Sequence, residues 1–310
     1  MSKRSPIPYL VLLAGVCVAA SASIMTRLLQ QPSIGMPSTV IAAGRLGMAA
    51  LILLPIAWLR VGAEIRSLSR HDIAWGVASG VLLALHFDTW IASFEYTSVA
   101  SSVALVTTNP LWVTLFSFLL WREKPLPLTM LGMVLAVAGS ICIGLSDSSG
   151  DAPTNALFGD ALALLGALTV SGYFLIGRML RRRMSLLAYI WLVYTSAAVV
   201  LVVIASLLGD LRLAQLPNFP PLAYALVLAL ALGPQLLGHS AFNWVLRYVS
   251  PTLVAIALLG EPIGASLLAW WFFDETFKAL QLIGFVLLLI GIGAASVGES
   301  QATPRQSPPD

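Results

Sequence analysis

The sequence predicts an all-α membrane protein whose ten transmembrane helices form two inverted five-helix repeats. Three observations predict it. Of 310 residues, 58% are hydrophobic and only 10% charged, with a mean hydropathy of +0.90. A soluble domain carries about 25% charged residues, so lipid must be the solvent for most of this surface. Apolar runs long enough to cross a bilayer, about 20 residues each, recur ten times. The chain also matches itself at an offset of 152. Tyr96, Pro110, Leu115, Glu123, Gly132 and Gly139 meet Tyr248, Pro262, Leu267, Glu275, Gly284 and Gly291, with no gap from Phe94 to Leu145.

The ten spans are separated by breaks that carry Pro, Gly, Asp, Ser or Arg, as loops require. Span 1 (9–29) follows Lys3 and Arg4 and ends near Ala20-Ser21-Ala22, which has the form of a cleavable secretory signal. Offset by 151, however, Gly15 meets Gly166 and Arg27 meets Arg178, so span 1 has a counterpart in span 6 and is expected to be retained. Span 2 (38–59) contains Arg45, and span 3 (73–94) contains His86, Asp88 and Trp90. Spans 4 (99–121) and 5 (127–145) complete the first half. Spans 6 (157–179), 7 (186–208), 8 (222–245), 9 (251–273) and 10 (279–297) form the second. The expected units are residues 1–147 and 148–298, and the polar stretch 299–310 reads as a disordered cytoplasmic tail.

Five spans per half is an odd number, so the second half starts on the opposite side of the membrane from the first. The repeat is therefore inverted, an arrangement that secondary transporters use to alternate access about a site at the bilayer midplane. The loop charges set the orientation. Lys3, Arg4, Arg60, Arg66, Arg70, Arg122, Lys124, Arg178, Arg181, Arg182, Arg183, Arg247 and Arg305 fall on one side. Only Arg27, Arg212 and Lys278 fall on the other, with Arg45 inside a span. The positive-inside rule places both termini in the cytoplasm of a multi-pass plasma (inner) membrane protein. Trp58, Trp75, Trp121, Trp270 and Trp271 sit at span ends, as an aromatic belt does.

Ionisable groups within hydrocarbon are costly and mark candidate sites. Glu261 lies near the middle of span 9, followed by Pro262, which cannot donate to the carbonyl of Leu258. Such a carboxylate suits a substrate ammonium or a proton. Asn109-Pro110 repeats the arrangement in span 4, with an amide where span 9 has an acid. In span 3, His86 and Trp90 share a face at i and i+4 and offer a ring to stack on and a titratable donor. Asp88 points elsewhere, toward Arg45 or Arg27. In span 8, Gln235, His239 and Asn243 repeat every four residues as a polar stripe with Phe242 beside it, either lining a water path or bonding helices together. Gly233-Pro234 precedes the stripe as a candidate hinge, so kinks are expected at Pro110, Pro234 and Pro262. Arg45 suits a substrate carboxylate, a structural ion pair with Asp88 or Glu261, or a snorkelling position. Trp112 and Tyr173 lie at similar depth. Gly132 with Gly139, and Gly284 with Gly291, read as a packing seam between spans 5 and 10.

Other chemistry lacks its signature. There is no phosphate-cradling G-x-x-x-x-G-K-[ST] loop and no H-E-x-x-H metal motif. Cys17 and Cys142 both fall in apolar runs, as packing residues do. No enzyme activity, metal, cofactor or nucleic-acid partner is expected, and one chain suffices for a carrier.

Taken together, Gly44-Arg45-Leu46, Asn109-Pro110-Leu111, the run Gly159-Asp160-Ala161-Leu162-Ala163-Leu164, Glu261-Pro262-Ile263 and the paired glycines resemble the drug/metabolite transporter superfamily of EamA type. Within it the nearest likeness is the YddG-like branch. The resemblance implies an inner-membrane exporter of small metabolites, aromatic or other neutral amino acids foremost. Nucleobases, cationic drugs and sugar phosphates are alternative cargoes, and a channel is an alternative mechanism. Proton coupling and facilitated diffusion both stay open.

Overall fold

Every regular element in the computed structural model is helical, among the residues it describes: 6–97, 102, 105–146, 155–211, 218–273 and 277–301. Eight helical stretches are long and apolar enough to cross a membrane. Two further apolar helices, Asn109–Trp121 and Pro127–Ser146, bring the set to ten spans.

The spans break where backbone hydrogen bonding fails. Span 1 is two helices, Ile7–Ala19 and Ser21–Gln30. Span 4 begins a new helix at Asn109 after a turn at Thr107-Thr108. Span 9 divides into Pro251–Leu258 and Glu261–Phe273. The sequence reading has Pro110 and Pro262 kinking continuous helices. Each is instead the second residue of a fresh helix, where its missing N–H has no intrahelical partner to lose. Span 8 also departs from a simple hinge. It runs Pro221–Leu230, then a π-helical Ala231–His239 that contains Pro234, then Ser240–Val245. A π segment holds one more residue than the α-helix it interrupts. That matches the change in the repeat from an offset of 151 in spans 1 and 6 to 152 from Phe94 onward.

Two other boundaries move. Span 2 is one helix, Ser38–Ser67, and carries Pro55 without a break. Hydropathy ends near residue 59 because lipid ends there, but nothing stops the backbone ladder until Leu68. Span 10, Ala279–Gln301, takes residues 299–301 of the expected tail into the helix. Residues 302–310 lie outside the described residues.

Packing follows a pseudo-two-fold pattern. Span 3 packs on span 6 as span 8 packs on span 1. Span 3 meets span 7 as span 8 meets span 2, and span 4 meets span 6 as span 9 meets span 1. Spans 5 and 10, 2 and 7, and 4 and 9 pair with their own counterparts. The glycine seam brings two helix backbones into direct contact. A Cβ on Gly132 would lie 2.6 Å from the Gly291 carbonyl oxygen, and one on Gly139 2.6 Å from that of Gly284. Backbones this close require glycine on both helices. Belt tryptophans Trp58 and Trp271 face outward, 66% and 73% exposed, with Trp75, Trp121 and Trp270 also exposed.

Candidate functional site

Arg45 is the centre of the buried polar set. It is 2% exposed, so it neither snorkels nor reaches a surface. Span 2 approaches span 8 closely here, since a Cβ on the neighbouring Gly44 would meet Val227 at 2.8 Å. The guanidinium lies over the Phe87 ring, 4.1 Å from its centroid. Its Nε donates to Gln235 Oε1 at 2.8 Å. The expected ion pair with Asp88 does not form, because Gln235, in the π segment, takes the position that a carboxylate would. The nearest acidic influence on Arg45 is Glu261.

Two tyrosines extend the set. Tyr173 in span 6 donates its hydroxyl to Asn243 Oδ1 at 2.8 Å. Asn243 Nδ2 donates to the Tyr194 hydroxyl of span 7 at 3.4 Å. Tyr194 in turn donates to the Gln235 carbonyl at 3.4 Å and lies 3.3 Å from Ser240 Oγ. All three side chains are fully buried. Buried polar groups are nearly always partnered, yet Gln235 Nε2 and His239 Nδ1 have no partner among the described residues. The predicted stripe thus comes together as Gln235, His239 and Asn243, but on a π-to-α junction and not on a regular helix.

Aromatic rings pack around these groups. His86 stacks on Trp90 with centroids 5.9 Å apart and planes within 9°, as their shared face predicts. His86 Nδ1 donates to the Gly166 carbonyl of span 6 at 2.9 Å, leaving Nε2 as the acceptor nitrogen. His239 contacts Phe87, Phe242 and Tyr173, with centroids at 5.2, 5.5 and 6.3 Å. Phe242 is itself buried against Gly15 of span 1.

The remaining predicted residues lie at the margins. Glu261 starts the second helix of span 9, half-buried and within electrostatic reach of Arg45. Asn109 starts the helix of span 4 and accepts from Ser171 at its carbonyl, 3.2 Å away. Trp112 stands apart from the network, since its indole donates to Thr108 one turn earlier. Asp88 has one buried oxygen without a partner, and its charged neighbours are Asp210 and Glu95, both acidic.

Each end of the bundle carries further polar contacts. At the arginine-rich end, Arg178 grips Glu123 with two hydrogen bonds of 2.6 Å. Arg122, in the left-handed region at φ 57°, ends span 4 just before Glu123. Arg181 donates to the carbonyls of Asn243 and Met184. At the other end, Ser38 donates to Glu95 at 2.5 Å and Thr39 to Asp210 at 2.7 Å. The sequence reading missed Phe87, Tyr194 and the Arg178–Glu123 pair. Phe87 had a signal, since it lies 152 residues before His239.

Comparison with known proteins adds to this geometry. The EamA-like transporter family matches the chain twice, over residues 7–145 and 157–297. The uncharacterized inner membrane transporter YedA of Escherichia coli strain K12 is 26% identical over 264 residues, covering 83% of this chain and 82% of that protein. The uncharacterized transporter YetK of Bacillus subtilis strain 168 is 25% identical over 213 residues, 67% of this chain, and the chain spans only 62% of its length. A probable 4-amino-4-deoxy-L-arabinose-phosphoundecaprenol flippase subunit, ArnE of Salmonella typhi, is 27% identical over 75 residues, 24% of this chain and 68% of that shorter protein. A solved crystal structure superposes with a TM-score of 0.72 at 16% identity, covering 95% of this chain and 98% of the other, and so shares the fold.

Proposed function

The chain belongs to the EamA-like transporter family, and from that premise we propose that it is a secondary carrier exporting small metabolites by alternating access, with aromatic and other neutral amino acids as cargo. The observation that carries this reading is the buried set around Arg45, where two polar atoms, Gln235 Nε2 and His239 Nδ1, lack partners beside stackable rings. A cargo with both polar and aromatic groups would satisfy them. The cargo-binding residues are His86, Trp90, Tyr173, Gln235, His239, Phe242, Asn243 and Glu261, with Asn109 and Trp112 at the margin.

Broken helices near the middle of spans 4 and 9 supply the free helix ends that transporters use around a central site. The two halves, residues 1–147 and 148–298, rock about that site. The Arg178–Glu123 pair closes the arginine-rich end, which we assign to the cytoplasm together with both termini. One chain contains the whole site, so a monomer suffices, and protons entering through Glu261 are the candidate coupling ion.

The test is counterflow in proteoliposomes preloaded with Trp, Phe, Thr or Met. Saturable exchange of labelled Phe against these amino acids is the expected result. A flux without counterflow would identify a channel, and exchange confined to nucleobases, cationic drugs or sugar phosphates would move the cargo.

A further inference from the structure

We propose that Arg45 and Glu261 are held apart as a charge-separated pair that recognises a zwitterion, the cargo's carboxylate on Arg45 with Gln235 and its ammonium on Glu261. The inference rests on the carrier reading above and specifies what that carrier selects.

A guanidinium presents two faces and two hydrogen-bonding edges. One face of Arg45 is covered by Phe87, and the Nε edge bonds Gln235. Among the described residues no carboxylate lies within ion-pair distance of Arg45 and no hydrogen bond engages its two terminal nitrogens. That free edge carries two parallel donors, which fit a carboxylate in two-pronged fashion.

Gln235 points the same way. Arg45 can only donate, so the oxygen of the Gln235 amide must face it, and the amide nitrogen is the end left over. That nitrogen is fully buried and without a partner. The unused groups of Arg45 and Gln235 are therefore donors, and an acceptor fits them. Glu261 is the complementary group. It opens a helix on span 9, lies within electrostatic reach of Arg45, and makes no ion pair or hydrogen bond through its carboxylate among the described residues. An Arg–carboxylate pair with one member buried usually closes into direct contact, because a buried charge held apart from its partner carries its desolvation cost unrepaid. Held open, the pair has the polarity of an α-amino acid. The other titratable groups facing Arg45 are His86, His239, Tyr173 and Tyr194, none of which offers a competing carboxylate.

Three probes in counterflow test this: L-phenylalanine, L-phenylalaninamide without the carboxylate, and 3-phenylpropionate without the ammonium. Wild-type protein should exchange phenylalanine at least tenfold better than either analogue. Arg45→Gln should lose its preference over the amide alone, and Glu261→Gln its preference over 3-phenylpropionate alone. Arg45→Lys should restore part of the first preference. Should a variant fail to fold, thermal stabilisation of the wild type in detergent by the same three compounds decides, with phenylalanine alone raising the melting temperature. Equal exchange of all three by the wild type would overturn the inference and leave the carrier reading standing. Exchange of none of them would overturn both the inference and the amino acid cargo.

Discussion

Phe87 and His239 occupy equivalent positions, 152 residues apart in the two halves, and their rings touch edge to face at 5.2 Å. Equivalent residues can meet only on the axis that relates the halves. The cation of Arg45 rests on this same Phe87 ring. Arg45, a charged side chain buried among these rings, therefore sits beside the axis that relates the halves.

Phe87→Ala removes both the axial ring contact and the cushion under Arg45. A buried Phe-to-Ala change costs about 3–5 kcal/mol. The variant should melt at a markedly lower temperature in detergent, while Phe87→Tyr or Phe87→Trp, which keep a ring under the cation, should recover most of the loss.

The Arg178–Glu123 pair ties the loop between spans 4 and 5 to span 6, with Arg178 nearly buried at 9% side-chain exposure. Glu123→Gln and Arg178→Gln should each slow exchange severalfold by weakening closure of that end. The double exchange Glu123→Arg with Arg178→Glu should recover more rate than either single charge reversal, because the coupling belongs to the pair. Exchange rates in proteoliposomes measure this, and additive losses would refute it.

A methyl group in the glycine seam has nowhere to go, since the atoms it meets are backbone. Gly139→Ala would place Cβ 2.6 Å from the Gly284 carbonyl and 2.7 Å from the Leu288 nitrogen. Overpacking of this kind costs about 1–3 kcal/mol. Gly293→Ala, which meets nothing within 4 Å on the same helix, should leave the melting temperature unchanged.

Tyr173→Phe would leave Asn243 Oδ1 without its donor in a fully buried place. An orphaned buried acceptor costs about 1–3 kcal/mol. Replacing both partners, with Tyr173→Phe and Asn243→Leu, should be less destabilising than the sum of the two single changes. Melting curves of the four proteins complete that cycle.

The elements that were legible in the sequence are those set by local chemistry. Lipid-length apolar runs, prolines that cannot donate and glycines seven apart each act through their own backbone, so spans 1–10, the places of irregular backbone at Asn109-Pro110 and Glu261-Pro262 (expected as kinks, found as helix starts), and the seam could be read from residues alone. What stayed hidden depends on partners distant in the chain. Arg45 lies 190 residues from Gln235, and nothing in either segment says that an amide rather than Asp88 will meet the guanidinium. The π segment is also silent, because a single added residue changes no composition; only the slip from 151 to 152 betrays it. Tyr194 stands beside Thr195 and Ser196, but nothing in that segment says that its hydroxyl will meet Gln235 and Asn243, 41 and 49 residues away.

The glycine seam has a genealogical consequence. Gly132 meets Gly291 and Gly139 meets Gly284, so each contact is the mirror of the other under exchange of the halves. That is the signature of an interface that two identical half-length chains, inserted in opposite directions, would make with each other. Such a dimer must carry each feature twice or not at all. Arg45 has no twin, since Ser196 and Ala197 stand at the corresponding places, and Glu261 faces only an amide at Asn109. Fusion into one chain is what allows a scaffold built by symmetry to carry a single Arg45 and a single Glu261.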